Sequence, residues 1–449
     1  MKNQKDFCIL SVHANDTYGG AARVAVNLHR GYRQRGHAAY MAVGQKLSID
    51  SSIFAFANET LRLKLNRLCG SLGKKLTQAE WLPGRWYPAR FLWWLGSVPF
   101  RWQNWLGFED FDYPGAWKLL EQMPHKPAIL HAHNLHGGYF DLRALPYLSN
   151  RVPLVMTLHD AWMLSGHCAH SFDCQRWKTG CGKCPDLTIP PAIQRDGTAY
   201  NWQRKKRILE QSRYYIATPS RWLMQKVEQS ILAKGMIASK VIPNGVDISL
   251  FHPGDQQKAR LHLNIPPEAA VILCASESIR NRAWSDFDLL RGAVQQAAEA
   301  LQPRQVILLG LGEETPAQPF GRAEVRFVPY LKDETALPLF FQAADVLIHP
   351  SRADNFPNVI LEALACGLPV LSTRVGGIPE QIEEGKTGFL VEPGDVPSMT
   401  ENIIRMISDS ALRRQMGIRA REIAEERYHL DHQVSAYLNW FESILDRSP

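Results

Sequence analysis

Residues 350–380, PSRADNFPNVILEALACGLPVLSTRVGGIPE, decide how the rest of the chain is interpreted. A turn that carries one acid, Asp354, leads into Pro357, which suits the first turn of a helix because its missing N–H is not needed there. A second acid, Glu362, follows inside the helix, two turns on. The free backbone N–H groups of a first turn favour an anion such as a phosphate. The stretch therefore predicts either a loop that binds a phosphorylated sugar or an ordinary loop followed by a core helix.

This stretch also resembles the signature of the family-4 retaining glycosyltransferases of the GT-B fold, in which seven residues separate two acids. Asp354 stands where a glutamate is commoner. The resemblance implies that Asp354 acts on the donor sugar together with the adjacent loop amides, and that Glu362 holds the ribose of the nucleotide. It further implies that the donor is contacted by the residues between them, which are Asn355, Phe356, Pro357, Asn358 and Val359.

The size and composition of the chain favour two domains, since 449 residues are too many for one hydrophobic core. No apolar run reaches the roughly 20 residues of a membrane-spanning helix. The N-terminus predicts a first strand and not a signal peptide, so we expect a cytoplasmic protein. A formal net charge of +7 favours anionic ligands or lipids. Nucleic acid is disfavoured, because no basic helix or aromatic RNA-binding motif is present.

The first half of the chain, residues 1–250, predicts a Rossmann-like domain. An apolar run, a loop with Gly19 and Gly20, a helix and a second strand form the opening of a doubly wound parallel sheet. Glycines at the carboxyl end of a strand let backbone approach a ligand, although most such pairs merely turn the chain. The resemblance implies that this loop approaches the donor diphosphate and the acceptor.

Residues 45–125 do not continue the alternation of strands and helices, and we interpret them as a basic, tryptophan-rich insertion outside the resemblance. The segment 61–76 is basic and amphipathic, and six tryptophans interleaved with arginines follow it. Tryptophan and arginine on one amphipathic element suit a membrane interface or a lipid-linked acceptor. Core and interdomain packing is the alternative explanation for these tryptophans. We expect peripheral binding to an anionic surface, on the inner face of the cytoplasmic membrane.

Two further apolar runs, residues 128–134 and 154–160, end in polar groups, as strands that feed a cleft do. His133, His159 and Asp160 are therefore candidates for the rim of that cleft. A lone histidine is more often structural, which is the explanation we favour for His133. For His159, the resemblance implies a role facing the donor sugar and phosphate.

The loop at residues 160–190 contains four cysteines and several glycines, a composition that predicts a structural zinc site. Its proposed ligands are Cys168, Cys174, Cys181 and Cys184. Free thiols and disulfides are the alternatives, and an iron–sulfur cluster has no electron-transfer context here. A chain without an export signal favours reduced thiols or metal over disulfides. The run from His159 to Pro185 resembles a subset of family-4 enzymes of capsule and exopolysaccharide synthesis, including the colanic acid pathway.

The second half, residues 265–430, predicts another doubly wound parallel sheet, because short apolar strands again alternate with helices. A boundary near residues 248–265 separates it from the first domain. The final segment, residues 431–449, is predicted to be a helix. The resemblance implies that this helix crosses back onto the first domain.

The loop expected to bind the diphosphate departs from the family's pattern. Where the family has Lys-Gly, this chain has Ser285-Asp286. Arg280 or Arg282 is then the candidate source of positive charge, because guanidinium groups bind phosphate through paired hydrogen bonds. A solvated loop that displays these arginines is the alternative.

These patterns together predict a GT-B enzyme with two Rossmann-like domains facing across a cleft. We expect transfer, with retention, from a UDP- or GDP-sugar to a glycan or polyprenyl-linked acceptor in exopolysaccharide or cell-envelope synthesis. Gly310 would bring backbone close to the nucleotide, and Tyr330 would edge the base. No cofactor is implied for catalysis. A nucleotide-sugar epimerase of the same fold and a non-catalytic nucleotide-sugar-binding subunit are the alternatives.

Overall fold

The computed structural model describes residues 6–58, 64–79, 84, 86–276, 279–280, 283–316, 318–331 and 333–447, without the side chains of 64–67 and 93–101. The chain divides into two compact units. Unit 1 consists of Met1–Ala217, Met224–Lys240 and Asn439–Pro449, and unit 2 consists of Thr218–Leu223 and Val241–Leu438. Each unit is built on its own sheet.

The strands are short, as is usual for buried parallel sheets. They are β1 (Cys8–Asn15), β2 (Ala38–Gln45), β3 (Ile53–Ala55), β4 (Ile129–Ala132), β5 (Leu154–Thr157), β6 (Tyr214–Thr218), β7 (Met236–Val241), β8 (Ala270–Ala275), β9 (Val306–Leu311), β10 (Glu324–Val328), β11 (Val346–His349), β12 (Val370–Thr373) and β13 (Gly388–Val391).

Helices connect most of the strands. They are α1 (Gly20–Gln34), α2 (Lys64–Gln78), α3 (Trp86–Trp105), α4 (Leu145–Ser149), α5 (Thr198–Glu210), α6 (Arg221–Glu228), α7 (Gln256–His262), α8 (Phe287–Ala300), α9 (Leu337–Ala343), α10 (Asn358–Ala365), α11 (Val396–Ser408), α12 (Ser410–Arg427) and α13 (Leu430–Leu445). In the part of the chain that the structure describes, no helix has both the length and the apolar character needed to cross a membrane.

The unit 1 sheet has the strand order β3-β2-β1-β4-β5-β6-β7, and the pairs from β3 to β6 are parallel. The alternation therefore continues to β3, inside the segment that we expected to interrupt it from residue 45. Met41 of β2 is in register with Ile53 of β3, and both side chains are buried. Burial of this short strand explains why the sheet extends further than the sequence indicated. Helices α2 and α3, which follow β3, pack against each other.

The unit 2 sheet has the order β10-β9-β8-β11-β12-β13, with every pair parallel. Successive residues of its strands point to opposite faces. Leu273 and Leu347 therefore enter one hydrophobic cluster, whereas Ile272 and Ile348 enter the other. Both faces of the sheet are buried, and the predicted doubly wound α/β fold is confirmed.

The terminal helix α13 begins in unit 2 and ends in unit 1. Its first residue, Leu430, comes one residue before the predicted start at residue 431. In unit 1, the Phe441 ring centroid lies 5.8 Å from that of Tyr32, 6.5 Å from that of Phe7 and 5.3 Å from that of His131. Buried aromatic contacts therefore anchor the end of the chain to the first sheet.

Candidate functional site

The candidate site in unit 2 lies where the strand order reverses. The chain leaves β8 towards β9 on one side and leaves β11 towards β12 on the other, so the loops that follow β8 and β11 diverge. In open α/β sheets, ligands bind in the crevice at this position, beyond the carboxyl ends of the strands. The loop after β11 contains Asp354, and the loop after β8 contains Arg280 and Ser285.

Backbone hydrogen bonds join these two loops. Ser285 and Ser351 form an isolated antiparallel bridge. The Asp286 N–H donates to the Pro350 carbonyl at 2.8 Å, and the Arg352 N–H donates to the Trp284 carbonyl at 2.7 Å. Ser285 is thereby fixed next to the loop that carries the first acid.

Asp354 lies at the mouth of this crevice, with its side chain one-fifth exposed. One carboxylate oxygen, Oδ1, accepts the N–H of Asn355 at 2.8 Å. The other, Oδ2, lies 3.4 Å from His349 Nε2. The carboxylate is therefore partly satisfied by the protein and still open to solvent, as a ligand-binding acid needs to be.

Helix α10 starts one residue later than predicted. Pro357 is its N-cap, with ψ at 129°, and the first helical residue is Asn358. The prediction that Pro357 lies in the first turn was wrong, because its backbone is extended. Glu362 is then the fifth helical residue, just over one turn from the start and not two. It is buried, with 6% of its surface exposed.

Gly376 and Gly377, which we call the glycine corner, pack against the backbone of the Asp354 loop. Gly376 has φ +58°, and a Cβ built on it would lie 1.7 Å from the Asp354 carbonyl oxygen. A Cβ on Gly377 would lie 2.1 Å from the Asn355 carbonyl oxygen. Only glycine fits at either position, so the corner determines where the backbone of the acid loop sits.

The other predicted donor contacts of α10 differ in what they can offer. Phe356 is buried, with its ring 5.9 Å from that of Tyr428. Its side chain belongs to the core, and only its backbone remains as a candidate contact. Asn358 and Val359 are half-buried at the helix start. Their roles, like those of Asn355 and Pro357, stay predictions.

Arg280 is directed into its own unit. Its guanidinium lies 5.0 Å from the Phe327 ring and 5.6 Å from the Phe287 ring, and it donates to the Pro316 carbonyl at 3.4 Å. Its Nε is buried and has no hydrogen-bond partner among the residues that the structure describes. Arg280 is thus held by contacts within its own unit, and its contact with a phosphate stays a prediction. Arg282 lies outside the described residues.

Glu313 fixes the backbone of Arg280. Its carboxylate accepts the Arg280 N–H at 3.0 Å and the hydroxyl of Thr315. Burial acts to raise the pKa of Glu313, but the hydrogen bonds from Thr315 and Arg280 outweigh it and lower the pKa. The loop is therefore built around a buried carboxylate that is kept ionised.

The positions of Gly310 and Tyr330 separate two predicted roles. A Cβ on Gly310 would lie 2.5 Å from a ring carbon of Phe327, so this glycine is needed for packing within the unit. Tyr330 is 38% exposed on the loop that follows β10. Its side chain is available to a ligand, and its contact with a base stays a prediction.

In unit 1, the predicted glycine pair forms the start of α1. Gly19 is the N-cap with φ +88°, and the helix begins at Gly20. A Cβ on Gly19 would have no heavy atom within 4 Å, so the space beside it is open. Asn15 organises the preceding loop, because its side-chain oxygen accepts the N–H groups of Thr17 and Tyr18.

His159, itself half-buried, belongs to a histidine cluster of unit 1 whose other members, His13, His131 and His133, are buried. His133 Nδ1 and His159 Nε2 are 3.0 Å apart, and the two rings are stacked. Burial lowers the pKa of His131 and of His159 to about 3, that of His13 to about 4, and that of His133 well below its usual value. His159 is therefore neutral at physiological pH. It can donate or accept a hydrogen bond but does not supply positive charge.

Asp160 anchors the rim beside these histidines. Its carboxylate accepts from His136 Nε2 and Asn134 Nδ2, both at 2.8 Å, and from the Trp162 N–H at 2.9 Å. Burial acts to raise its pKa, yet His136 and the Trp162 N–H lower it to about 2. Because its carboxylate already accepts these three hydrogen bonds, Asp160 holds neighbouring residues in place and is not available as a general base.

The structural zinc predicted for the cysteine loop stays a prediction, and the four cysteines are not grouped as metal ligands in the part of the chain that the structure describes. Among the described residues, which include all four cysteines, no three His, Cys, Asp or Glu side chains are grouped as a metal site requires. Cys181 Sγ accepts the Gly166 N–H at 3.2 Å, and Cys184 Sγ lies 3.4 Å from His167 Nε2. Burial raises the pKa of Cys168 and Cys184, and that of Cys181 to about 12, which favours thiols over thiolates.

Sequence reasoning missed the side chains that hold the acid loop from outside. Ser220 Oγ lies 2.5 Å from Asn355 Oδ1, and Asn244 Nδ2 donates to Asn358 Oδ1 at 3.0 Å. Gln381 Nε2 donates to the Pro357 carbonyl at 3.1 Å. Ser220 also caps α6, because its Oγ accepts the Leu223 N–H at 3.1 Å. No sequence signal links it to Asn355, 135 residues away.

Two family models match the chain, one for each part of the fold. The model described as glycosyl transferases group 1 matches residues 281–423, and the model described as glycosyltransferase family 4 matches residues 68–250. The second match begins at residue 68, so most of the segment that we placed outside the resemblance falls within it. The acid loop and α10 lie inside the group 1 match.

Curated relatives cover only part of the chain. D-inositol 3-phosphate glycosyltransferase 2 from Catenulispora acidiphila is 35% identical over 177 residues, which are 36% of this chain and 41% of that protein. The putative colanic acid biosynthesis glycosyl transferase WcaC of Escherichia coli K12 is 26% identical over 284 residues, 58% of this chain and 64% of that protein. The chain thus spans less than two thirds of the length of either relative.

The fold as a whole is similar to solved structures. The crystal structure of Anabaena Alr3699/HepE in complex with UDP superposes with a TM-score of 0.63 at 19% identity, covering 97% of this chain and 99% of that one. At this identity the likeness concerns the fold alone. The two parallel-sheet units are those of the GT-B architecture.

Proposed function

We propose that this chain, which carries the glycosyltransferase group 1 and family 4 domains, transfers a sugar from a nucleotide-sugar to a hydroxyl group of a glycan, with retention at the anomeric carbon. One observation carries the proposal. An acid loop with a partly open Asp354 and a buried Glu362 lies at the strand-order reversal of unit 2, inside the group 1 match. That is where an α/β sheet binds its ligand.

The two acids would bind different parts of the donor. Asp354, at the mouth of the crevice, would contact hydroxyls of the sugar. Glu362, which is buried, would accept hydrogen bonds from the two ribose hydroxyls, since an ionised carboxylate accepts at both oxygens. The start of α10 between them would face the diphosphate, where a helix dipole favours negative charge.

The leaving diphosphate gains negative charge as the glycosidic bond breaks, and this charge needs stabilisation in the transition state. Arg280 would supply positive charge through its guanidinium, and Ser285 would supply a hydroxyl from the joined loop. Retention follows if the acceptor attacks the face that the diphosphate leaves. The acceptor proton then passes to the leaving phosphate oxygen, so no side-chain base is required.

The donor would be a UDP- or GDP-sugar. The HepE structures, solved with UDP and with UDP-glucose, support a uridine nucleotide for that protein. A screen of UDP-, GDP-, ADP- and dTDP-sugars by thermal shift tests the class directly. We expect one nucleotide series to raise the melting temperature, because a ligand that binds only the folded state stabilises it. If no series does so at millimolar concentration, the donor proposal fails.

Retention is tested separately once a donor is known. The anomeric configuration of the product is followed by ¹H NMR of the new linkage. The proposed mechanism predicts the configuration of the donor, and an inverted product would contradict it. A donor that binds but is never transferred to lipid or glycan extracts would indicate a non-catalytic subunit instead.

We also propose that the enzyme works in the cytoplasm on a lipid-linked or polysaccharide acceptor and docks on anionic membrane through the α2–α3 hairpin, residues 64–105. The similarity to WcaC supports a polysaccharide acceptor. The two helices α2 and α3 contain no acidic residue and six basic ones. The basic residues are Lys64, Arg67, Lys74, Lys75, Arg90 and Arg101. Basic side chains are attracted to anionic lipids, by about 1 kcal/mol for each basic group near the membrane.

Large apolar side chains of the same hairpin point to solvent. Trp86 is 57% exposed, Tyr87 is 80% exposed and Trp102 is 62% exposed. Aromatic rings beside basic groups suit the lipid headgroup region, where one end of the ring is apolar and the other is hydrated. The earlier alternative, burial of these tryptophans in the core, does not hold for Trp86 and Trp102.

Co-sedimentation with vesicles tests this docking. We expect binding to phosphatidylcholine vesicles that contain phosphatidylglycerol, little binding without it, and loss of binding at high salt. The triple substitution Trp86→Ser, Tyr87→Ser, Trp102→Ser should weaken binding at least tenfold. Ile418→Ser in unit 2, at a position 58% exposed, is the control and should change nothing. A wild-type protein that ignores anionic vesicles at low salt would end the docking proposal.

A further inference from the structure

We infer that Ser220, at the start of α6, is a positioning residue for the donor-binding loop, orienting Asn355 and through it Asp354. The inference rests on the proposed function, since it concerns the same site. It assigns to a helix-capping serine a second task that nothing in its own neighbourhood in the sequence indicates.

The Ser220 hydroxyl contacts both its own helix and the acid loop. Its Oγ lies 2.5 Å from Asn355 Oδ1 and accepts the Leu223 N–H at 3.1 Å. An amide oxygen can only accept, so the hydroxyl proton is donated to Asn355. One side chain thus caps α6 and holds the loop, and both of its hydrogen-bonding functions are in use.

Burial makes this contact specific. Ser220 is 0% exposed and Asn355 is 2% exposed. A buried polar atom that loses its hydrogen-bond partner carries the full cost of its desolvation. Loss of the Ser220 hydroxyl would therefore remove one of the contacts that fix the orientation of the Asn355 side chain.

The glycine corner holds the two residues against each other. A Cβ on Gly377 would lie 2.7 Å from Ser220 Cβ as well as 2.1 Å from the Asn355 carbonyl oxygen. Three residues after Gly377, the Glu380 carboxylate accepts the N–H groups of Arg221 and Trp222, each at 2.9 Å. The first turn of α6 is thus tied both to the acid loop and to the corner beneath it.

Asn355 connects Ser220 to the first acid, Asp354. The Asn355 N–H donates to Asp354 Oδ1 at 2.8 Å, so a rotation of the Asn355 peptide would move the Asp354 carboxylate. Sites that hold reacting groups within about 0.5 Å depend on such supporting contacts. Asp354 is then oriented by a residue 134 positions earlier in the chain, and its orientation depends on the Ser220–Asn355 bond.

A purely structural role as a helix cap is the competing explanation, and a second cap separates the two. Asp409 caps α12 by accepting the Leu412 N–H at 2.8 Å, away from the acid loop in sequence. Ser220→Ala and Asp409→Ala each remove one cap and should each lower the melting temperature, Ser220→Ala by more because it also removes the buried contact with Asn355. Only Ser220→Ala should lower kcat/KM for the donor, by about tenfold, with Asp409→Ala at the wild-type value.

A double-mutant cycle then shows whether Ser220 acts through Asn355. If it does, Ser220→Ala should have little further effect on kcat/KM in the Asn355→Ala background, because the shared contact is already lost. Fully additive effects of the two substitutions would overturn the inference, as would a Ser220→Ala enzyme with unchanged donor kinetics.

Hydrogen exchange of the full chain tests the loop without any ligand. Amide exchange in peptides covering residues 352–360 should become faster in Ser220→Ala and remain unchanged in Asp409→Ala. Unchanged exchange there in Ser220→Ala would contradict the inference even if donor binding is confirmed. Conversely, failure of wild type to bind any nucleotide-sugar would end the proposed function, while the exchange data would still report on the loop.

Discussion

The two units present chemically different groups at the ends of their sheets. Unit 1 gathers neutral histidines whose protonation is suppressed by burial, among them His131, His133 and His159. Unit 2 gathers an acid and amides, Asp354, Asn355 and Asn358, held by hydrogen bonds from several distant segments. The first arrangement depends on pH, whereas the second depends on precise backbone packing. Although the two units share a sheet architecture, we expect unit 1 to be destabilised mainly by low pH and the acid loop of unit 2 mainly by substitutions that disturb its backbone.

Acidification should produce the largest difference between the units. A histidine whose folded pKa is below about 6.5 contributes stability that is complete above that pH and is lost as the pH falls towards the folded pKa. His13, His131, His133 and His159 all belong to this class, and all lie in unit 1. Each is worth up to about 1.4 kcal/mol per pH unit.

We therefore expect unit 1 to lose more than about 5 kcal/mol between pH 7 and pH 5. Hydrogen exchange of the intact chain at pH 7, 6 and 5, corrected for intrinsic rates, distinguishes the units by peptide. Strands β4 and β5 should lose protection first, and β8 and β11 should keep it. Equal loss in both sheets would remove the histidine cluster from the explanation.

The next largest effect should come from a buried ion pair in unit 1. Lys205 is 0% exposed, and its Nζ donates to Glu109 Oε1 at 2.9 Å and to the Trp162 and Ser165 carbonyls. Lys205→Met would leave Glu109 charged or protonated without its partner, at a cost of about 3–5 kcal/mol. Denaturant unfolding at pH 7.5 measures it.

An exposed pair in the same unit provides the control. Lys234 lies 3.2 Å from Glu210 with a side chain 74% exposed, so Lys234→Met should cost less than about 1 kcal/mol. Similar losses in the free energy of unfolding for the two substitutions would show that burial does not determine how much the Lys205–Glu109 pair stabilises the protein.

Unit 2 should respond most strongly to a methyl group at the glycine corner. Gly376→Ala places a Cβ 1.7 Å from the Asp354 carbonyl at φ +58°, so the loop must move. We expect a loss of about 2–3 kcal/mol, from backbone strain and steric conflict together, and a fall in donor kcat/KM of at least a hundredfold.

Gly385→Ala is the matched control for backbone strain. Gly385 has φ +73°, and its Cβ would meet nothing within 4 Å. It should cost about 1 kcal/mol and leave donor kinetics unchanged. If Gly376→Ala behaved in the same way, the corner would not be what shapes the acid loop.

Much of this organisation was predictable from sequence, because it depends on local pattern. Apolar runs followed by glycine and helix signals gave both sheets, and the spacing of Asp354 and Glu362 located the acid loop. The start of α10 was misplaced by one residue, since Pro357 is compatible with the N-cap as well as with the first turn. The strands, the spacing of the acids and the start of α10 all depend on residues that are close together in the chain.

The contacts that were missed join residues far apart in sequence. Ser220 and Asn355 are 135 residues apart, and no local pattern around either residue signals that they meet. The histidine cluster has the same origin, since His13, His133 and His159 come from the ends of three strands. For the four cysteines, composition predicted metal ligands, but their side chains are placed by a loop whose path composition does not determine.

The central claim is that the acids of unit 2 hold a nucleotide-sugar, and calorimetry of Glu362→Ala tests it most directly. The ligand is the nucleotide-sugar that stabilises the wild type, and the control is Glu392→Ala, whose carboxylate is 68% exposed and paired with Arg374. We predict that Glu362→Ala weakens binding at least thirtyfold, because two charge-assisted hydrogen bonds to the ribose are lost, while Glu392→Ala binds as the wild type does. Unchanged affinity in Glu362→Ala, with the fold intact by circular dichroism, would contradict the claim.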